Sequence, residues 1–283
     1  GRAGDARYHG RAPPVGSIAG AALRSTTNQM RSRMRLALRL GLSVVAAFGA
    51  LVLDSEPARA DAAGDKVLAA LDEALNRAKT QSFEFDVINQ EPGKPESRQA
   101  MIVRQKGGKR LTEYTAPADM KGTKVLVLSP SEVYTYLPAS GKVRRVASSA
   151  SDQGFMGMAF SLDDFPSRYS DLYTATVLAE AAGQVKIAAT PKAGQQTPYA
   201  KIEITIARDR MLPSELRFYR APNQAVKTET RTGYSCQGTC CTAAEQKMVN
   251  LGRGGAWTRL VRKTWKVNED MSDELFTKRA LEK

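Results

Sequence analysis

Apolar and polar positions alternate with a period of two over most of the chain beyond residue 80, and that pattern predicts a sheet. Phe83, Phe85 and Val87 alternate with Glu84 and Asp86; a Glu91-Pro92-Gly93-Lys94 turn follows; Met101 and Val103 then share one face of the next strand while Ile102 takes the other. Gly107-Gly108 turns the chain into a strand over 110–116. Residues 124–129 form a continuous apolar run, Val125 to Leu128, as expected of a strand covered on both faces. Two alternating runs, 133–137 and 142–146, flank Pro138-Ala139-Ser140-Gly141 and predict a hairpin. Further strands are predicted over 172–179, 184–189, 199–207, 212–220, 225–234 and 257–267, with Ile202, Ile204 and Ile206 on a dry face and Trp257, Val261, Trp265 and Val267 together on one face of the last. One helix precedes them, over 61–79, where Val67, Leu68, Leu71, Ala74, Leu75 and Ala78 recur at helical spacing and Asp65 and Lys79 suit its two ends. With no helix between neighbouring strands, the fold class is mainly β (α+β), an antiparallel meander.

The stretch 148–165 breaks the pattern. Ser148 to Asp152 is small and polar, and Phe155, Met156, Met158, Phe160, Leu162 and Phe165 follow at neither strand nor helix period. Gly154 and Gly157 would loosen any helix there by about 1 kcal/mol each relative to Ala, and methionine adapts its shape to whatever packs on it. Such a segment serves either as ordinary core or as a movable apolar flap. Asp163-Asp164 is expected to be solvated, since adjacent side chains diverge. Arg144-Arg145 should leave opposite faces of a strand: either both end at a twisted edge, or the inward one donates hydrogen bonds to flap carbonyls or to an anionic head group.

The first 60 residues form a separate segment. From Met30 or Met34, either of which can be the true start, Arg31, Arg33, Arg35 and Arg39 supply a basic region, 40–53 an apolar one, and Ala58-Arg59-Ala60 a small-residue site. These are the parts of a secretory signal peptide, with cleavage expected after Ala60, a retained anchor as the alternative, and a single exported domain over 61–283. Residues 1–60 hold nine Lys/Arg and three Asp/Glu, so their removal lowers the net charge from +13 to +7. The remaining charge is spread along the chain, which points away from nucleic acid.

The sole histidine is His9. The exported domain therefore lacks the base for Ser-His-Asp or Cys-His chemistry and any His-ligated metal site. Cys236, Cys240 and Cys241 lack the spacing of a zinc ribbon or of a C-x-x-C oxidoreductase. In an oxidising compartment Cys236 is expected to bridge Cys240 or Cys241 as a loop staple, with an intermolecular disulfide and metal or redox chemistry as the alternatives.

Signal peptide, amphipathic helix, antiparallel meander, Lys121-Gly122-Thr123, Tyr136-Leu137-Pro138, Arg144-Arg145, Phe155-Met156-Gly157 and 160–164 (FSLDD), in that order, resemble the outer membrane lipoprotein-sorting family, which is similar to the LolA and LolB carriers. The resemblance covers about 61–283 and includes the Phe276-Thr277 ending; the cysteine excursion departs from it. It implies an incomplete, curved antiparallel β-barrel with helices, including a short helical lid, on the concave side, and an apolar cavity for acyl chains without cofactor or catalysis. The expected cavity residues are Phe83, Phe85, Val87, Val103, Tyr114, Val125, Val127, Tyr134 and Tyr136, with Arg144 and Arg145 beside them and Phe155, Met156, Met158 and Phe160 in the lid. The function implied is a monomeric periplasmic carrier of lipoproteins or acylated lipids, with an inner-membrane transporter as a further partner. Its rivals are a sensor reading lipoproteins with the same fold and an exported hydrolase acting through carboxylates.

Overall fold

The helix starts ahead of Val67, the first residue of its apolar stripe, and stops at Leu75, before the expected end at residue 79. In the computed structural model, which describes residues 61–146 and 156–282, α1 spans Ala62–Leu75, and its N-terminus is closed by the Asp61 carboxylate, which accepts the Gly64 N–H at 2.6 Å. The expected signal peptide, its cleavage site and Phe155 lie outside the described residues.

The first meander comprises β1 (Thr80–Gln90), β2 (Ser97–Lys106), β3 (Lys109–Ala116), β4 (Lys124–Ser129), β5 (Glu132–Leu137) and β6 (Lys142–Arg145). After α2 (Tyr169–Leu172), a second comprises β7 (Tyr173–Ala181), β8 (Gln184–Pro191), β9 (Lys201–Ala207), β10 (Leu212–Ala221) and β11 (Gln224–Thr232). A small hairpin, β12 (Ser235–Gln237) and β13 (Cys240–Thr242), leads to β14 (Glu245–Asn250), β15 (Ala256–Val267) and α3 (Lys278–Leu281). Thirteen strands join in the order β6-β5-β4-β3-β2-β1-β15-β14-β11-β10-β9-β8-β7, so the C-terminal pair stitches the two meanders together. The sheet is mainly β, curved and antiparallel, and it does not close: β6 and β7 are its edges.

The expected passage from the cysteine excursion straight into the last strand needs correction, because β14 intervenes between β11 and β15. Its polar opening, Glu245-Gln246-Lys247, disguises a strand in which Met248 and Asn250 are buried. The excursion itself is the β12–β13 hairpin, bridged by Cys236–Cys241, with Cys240 free and buried beside it.

The shared face expected of Trp257, Val261, Trp265 and Val267 also needs correction. Along β15 the buried positions are Ala256, Thr258 and Leu260, then Trp265. The register with β1 steps from Glu84↔Thr264 to Phe85↔Arg262, so Lys263 is an extra residue, and this bulge reverses which parity faces the core.

Both faces of the sheet carry apolar clusters. The concave face holds the larger, in which Leu68 and Leu71 of α1 meet Phe83, Val103, Ile187, Ile204 and Leu216. On the other face Leu111, Leu126 and Tyr134 are covered by Met271, Phe276 and Leu281 of the C-terminal tail. The strand over 124–129 is thus covered on both faces, by Val125 toward one cluster and Leu126 toward the other.

Edge strand β7 is shielded by α1. Asp65 accepts the Ala175 N–H at 2.7 Å and Asp61 the Val177 N–H at 3.2 Å, satisfying donors that an edge would otherwise expose. Gly64 permits this approach: a Cβ there would stand 2.3 Å from the Ala175 carbonyl oxygen.

Candidate functional site

The strand register stacks the concave face of the first meander into rows. Gln81, Gln105, Arg110 and Val127 lie across one level, Phe83, Val103, Thr112 and Val125 across the next, and Phe85, Met101 and Tyr114 across a third. The first row is polar at three of its four positions; the others are almost wholly apolar. Above them lies a hollow of about 710 Å³, walled by these rows, by Leu75 of α1 and Ala78 just beyond it, and by Met158, Phe160 and Phe165.

The last three residues belong to a flap, Met156 to Leu172, that crosses the concave face. Residues 156–161 carry no helix; the helical part of the expected lid lies further on, in a 3₁₀ turn at Leu162–Asp164 and in α2. Three anchors hold the flap. At its start, Gln99 donates to the Met156 carbonyl at 3.0 Å and Ala159 N–H to the Thr258 hydroxyl at 2.7 Å, which in turn donates to Asn89. At its end, the buried Asp72 carboxylate of α1 accepts the Tyr169 and Ser170 N–H groups at 2.8 and 2.7 Å.

The middle anchor is charged. Asp164 accepts from Lys227 Nζ at 2.8 Å, from the Tyr199 hydroxyl at 2.5 Å and from the Ser161 N–H at 2.6 Å, while Lys227 also donates to the Ser161 hydroxyl at 3.0 Å. All four residues are buried. Burial, followed by the Asp164 charge, pushes the Tyr199 phenol far above its ordinary value. Asp164 is therefore not the solvated residue expected. The turn folds its carboxylate back as a capping box with Ser161, and the remaining lone pairs meet a strand face that carries charge inward.

That face belongs to β11, where Lys227 and Glu229 are buried and Arg231 stands beside them; Arg231 Nε donates to Glu229 at 2.6 Å. The signal was present in the alternation Lys227-Thr-Glu229-Thr-Arg231, but only the structure shows that the charged parity points inward.

Of the expected cavity residues, Phe83, Phe85, Val103, Tyr114, Val125, Val127, Met158 and Phe160 line the hollow together. Val87 is buried in the same cluster outside the lining, and Met156 packs against that cluster. Tyr134 and Tyr136 need correction: they pair with Leu126 and Lys124 and face the opposite cluster, while Val133 of β5 points to the hollow's side. The C-terminal tail makes the outer face apolar as well, so apolar character alone could not choose between the two parities. Arg144 and Arg145 are exposed on edge strand β6, and Arg145 donates to the Ser131 carbonyl at 2.8 Å, so neither reaches the hollow. Sequence reading overlooked Arg110, which lines the hollow half-buried, its guanidinium 5.1 Å from the Phe165 ring centre. Burial lowers its pKa to about 10, which leaves it charged at neutral pH.

A protein-family model described as "Uncharacterized protein" matches residues 106–283. The fold is similar to a DUF1329 family protein from Desulfovibrio piger, with TM-score 0.71 and 22% identity over 77% of this chain and 98% of that one. It is similar to a putative outer membrane lipoprotein-sorting protein domain from Vibrio parahaemolyticus, with TM-score 0.69 and 20% identity over 78% and 99%. It also resembles a LolA superfamily protein from Nitrosomonas europaea, with TM-score 0.64 and 16% identity over 77% and 98%. No curated protein matches the chain.

Proposed function

We propose, on the premise that the chain belongs to the family whose model matches residues 106–283 and has a LolA-like fold, that it is a periplasmic carrier that takes up acyl chains of lipoproteins or related lipids for transfer toward the outer membrane. The observation that supports this reading is the hollow of about 710 Å³, floored by apolar rows of the sheet, under a flap pinned at three places. Its size falls in the range of about 300–1,000 Å³ typical of small-molecule sites.

The energetics suit a carrier. Burying a sixteen-carbon chain is worth roughly 12 kcal/mol gross at about 0.8 kcal/mol per methylene, against association costs of about 4 to 15 kcal/mol. Binding can then be firm and still reversible. A flap that closes onto the hollow through its own Met158 and Phe160 competes with the ligand and favours release. Export, cleavage after Ala60 and delivery by an inner-membrane transporter belong to this reading, as does binding without catalysis.

The test is a titration of the full chain with a fluorescent fatty acid. Saturable binding at one site, displaced by a diacylated lipopeptide and weakened by filling the hollow with Val103→Trp, is expected. A signal that never saturates, or that Val103→Trp leaves unchanged, would sink the reading.

A further inference from the structure

The hollow contains two polar groups that an uncharged hydrocarbon would leave unmatched. Arg110 lines it from the polar row at one end. Its guanidinium lies against the Phe165 ring, and no carboxylate among the described residues pairs with it. Of the carboxylates that share the wall, Asp164 is taken up by Lys227 and Asp171 makes no ion pair with Arg110. Tyr114 is 1% exposed and follows on the same face of β3; its hydroxyl has no hydrogen-bond partner.

A half-buried guanidinium without a counter-charge is a costly arrangement, and so is a buried hydroxyl with nothing to bond. Both costs vanish if a ligand brings the missing acceptors. The order of rows sets their arrangement: charge at the polar level, then the apolar level of Phe83, Val103 and Val125, then Tyr114 at the level of Phe85 and Met101. Nearby Lys106 and Lys109, which also line that end, are turned toward Asp273 at 3.3 and 4.0 Å, Arg231 is paired with Glu229, and Lys79 and Arg168 are exposed, so Arg110 is the half-buried lining cation left to a ligand among the described residues.

We propose that the hollow selects an acyl amphiphile with an anionic head, a carboxylate or a phosphate, which pairs with Arg110 at the polar end while the chain runs along the apolar rows and Tyr114 donates to an oxygen carried deeper. This rests on the carrier reading and narrows it: an anionic lipid is the preferred cargo, ahead of an uncharged acylglycerol of equal chain length.

The experiment uses the full chain and displacement of a fluorescent fatty acid by a sixteen-carbon series: palmitate, palmitoyl lysophosphatidic acid, monopalmitoylglycerol and hexadecyltrimethylammonium, with acetate and inorganic phosphate as chainless anions. The two anionic amphiphiles should bind about ten- to a hundredfold more tightly than monopalmitoylglycerol, the range expected for a charge-assisted hydrogen bond, and the chainless anions should not displace the probe. Arg110→Leu should remove that preference, Arg110→Lys should keep part of it, and Tyr114→Phe should weaken the ester-bearing chains, which carry an oxygen beyond the head, severalfold. Equal affinity for charged and uncharged chains overturns the head-group assignment and leaves the carrier reading standing. Displacement by phosphate alone overturns the amphiphile in favour of an anion site. Failure of every chain to bind overturns both. Thermal melting of Arg110→Leu and Arg110→Lys at or above that of the parent chain certifies that the variants are folded.

Discussion

Lys227 Nζ lies 2.8 Å from the Asp164 carboxylate, with side-chain exposures of 4% and 0%, and so joins strand β11 to the flap by a charge pair sealed from solvent. Such a pair contributes little net stability, because desolvation consumes most of the attraction, but breaking it from one side leaves a bare buried charge. Its role here is positional: it specifies where the flap crosses the hollow.

Removing one partner should therefore cost more than removing the charge from both. Lys227→Met is expected to lose about 3–5 kcal/mol in urea unfolding. The double variant Lys227→Met/Asp164→Asn, which keeps an acceptor for Tyr199 and Ser161, should lose less than Lys227→Met alone. Additive losses would mean that the two charges are not coupled.

The contact between Gly64 and Ala175 sets a second test. Alanine is the better helix former by about 1 kcal/mol, yet its Cβ would meet the Ala175 carbonyl oxygen at 2.3 Å. Gly64→Ala should thus destabilise by about 1–3 kcal/mol, read as a fall in the urea midpoint. A rise would show that the helix does not depend on this approach to edge strand β7.

Glu203 should govern part of the acid sensitivity. Burial pushes its carboxyl upward, but hydrogen bonds from Lys186 and Lys201, at 2.8 Å each, outweigh that and hold the pKa at about 2, below an ordinary 4.5. Depressed in the folded state, the group contributes stability that is present above pH 4.5 and disappears as pH falls through about 2. Glu203→Gln should be less stable than wild type at pH 7 by about 1–3 kcal/mol, and the two curves should converge as pH drops from 4.5 toward 2. Parallel curves would refute the assignment.

Phe160 closes the hollow from above, 1% exposed and stacked on Phe165 with ring centres 5.2 Å apart. Phe160→Ala should cost about 3–5 kcal/mol of stability and accelerate release of a bound acyl probe in stopped-flow measurements. Unchanged release would place the flap outside the exit route.

Part of the site was legible because alternation is a local property. Phe83 and Phe85 share one face, as strand parity predicts, and that face, with Val103 and Val125 beside them, walls the hollow. Tyr134 and Tyr136 went to the opposite face because Met271, Phe276 and Leu281, more than a hundred residues away, supply the outer face with a core of its own. Asp164 was hidden differently: two adjacent acids look solvated until a strand brings a lysine to them. Arg110 gave no sign at all, since an unpaired cation on a strand is ordinarily a surface residue.

From the chain alone come the periodicities, and with them the single long helix, most of the strands, the antiparallel order within each meander and the dry face of Ile202, Ile204 and Ile206. These follow from the backbone and from neighbours a few residues apart. Tertiary structure alone decided the insertion of β14, the change of face at Lys263, the seating of Asp164 on Lys227 and the place of Arg110 at the hollow's end. Each of these depends on which distant strand lies alongside, and a bulge or a buried charge acquires its meaning only from that neighbour.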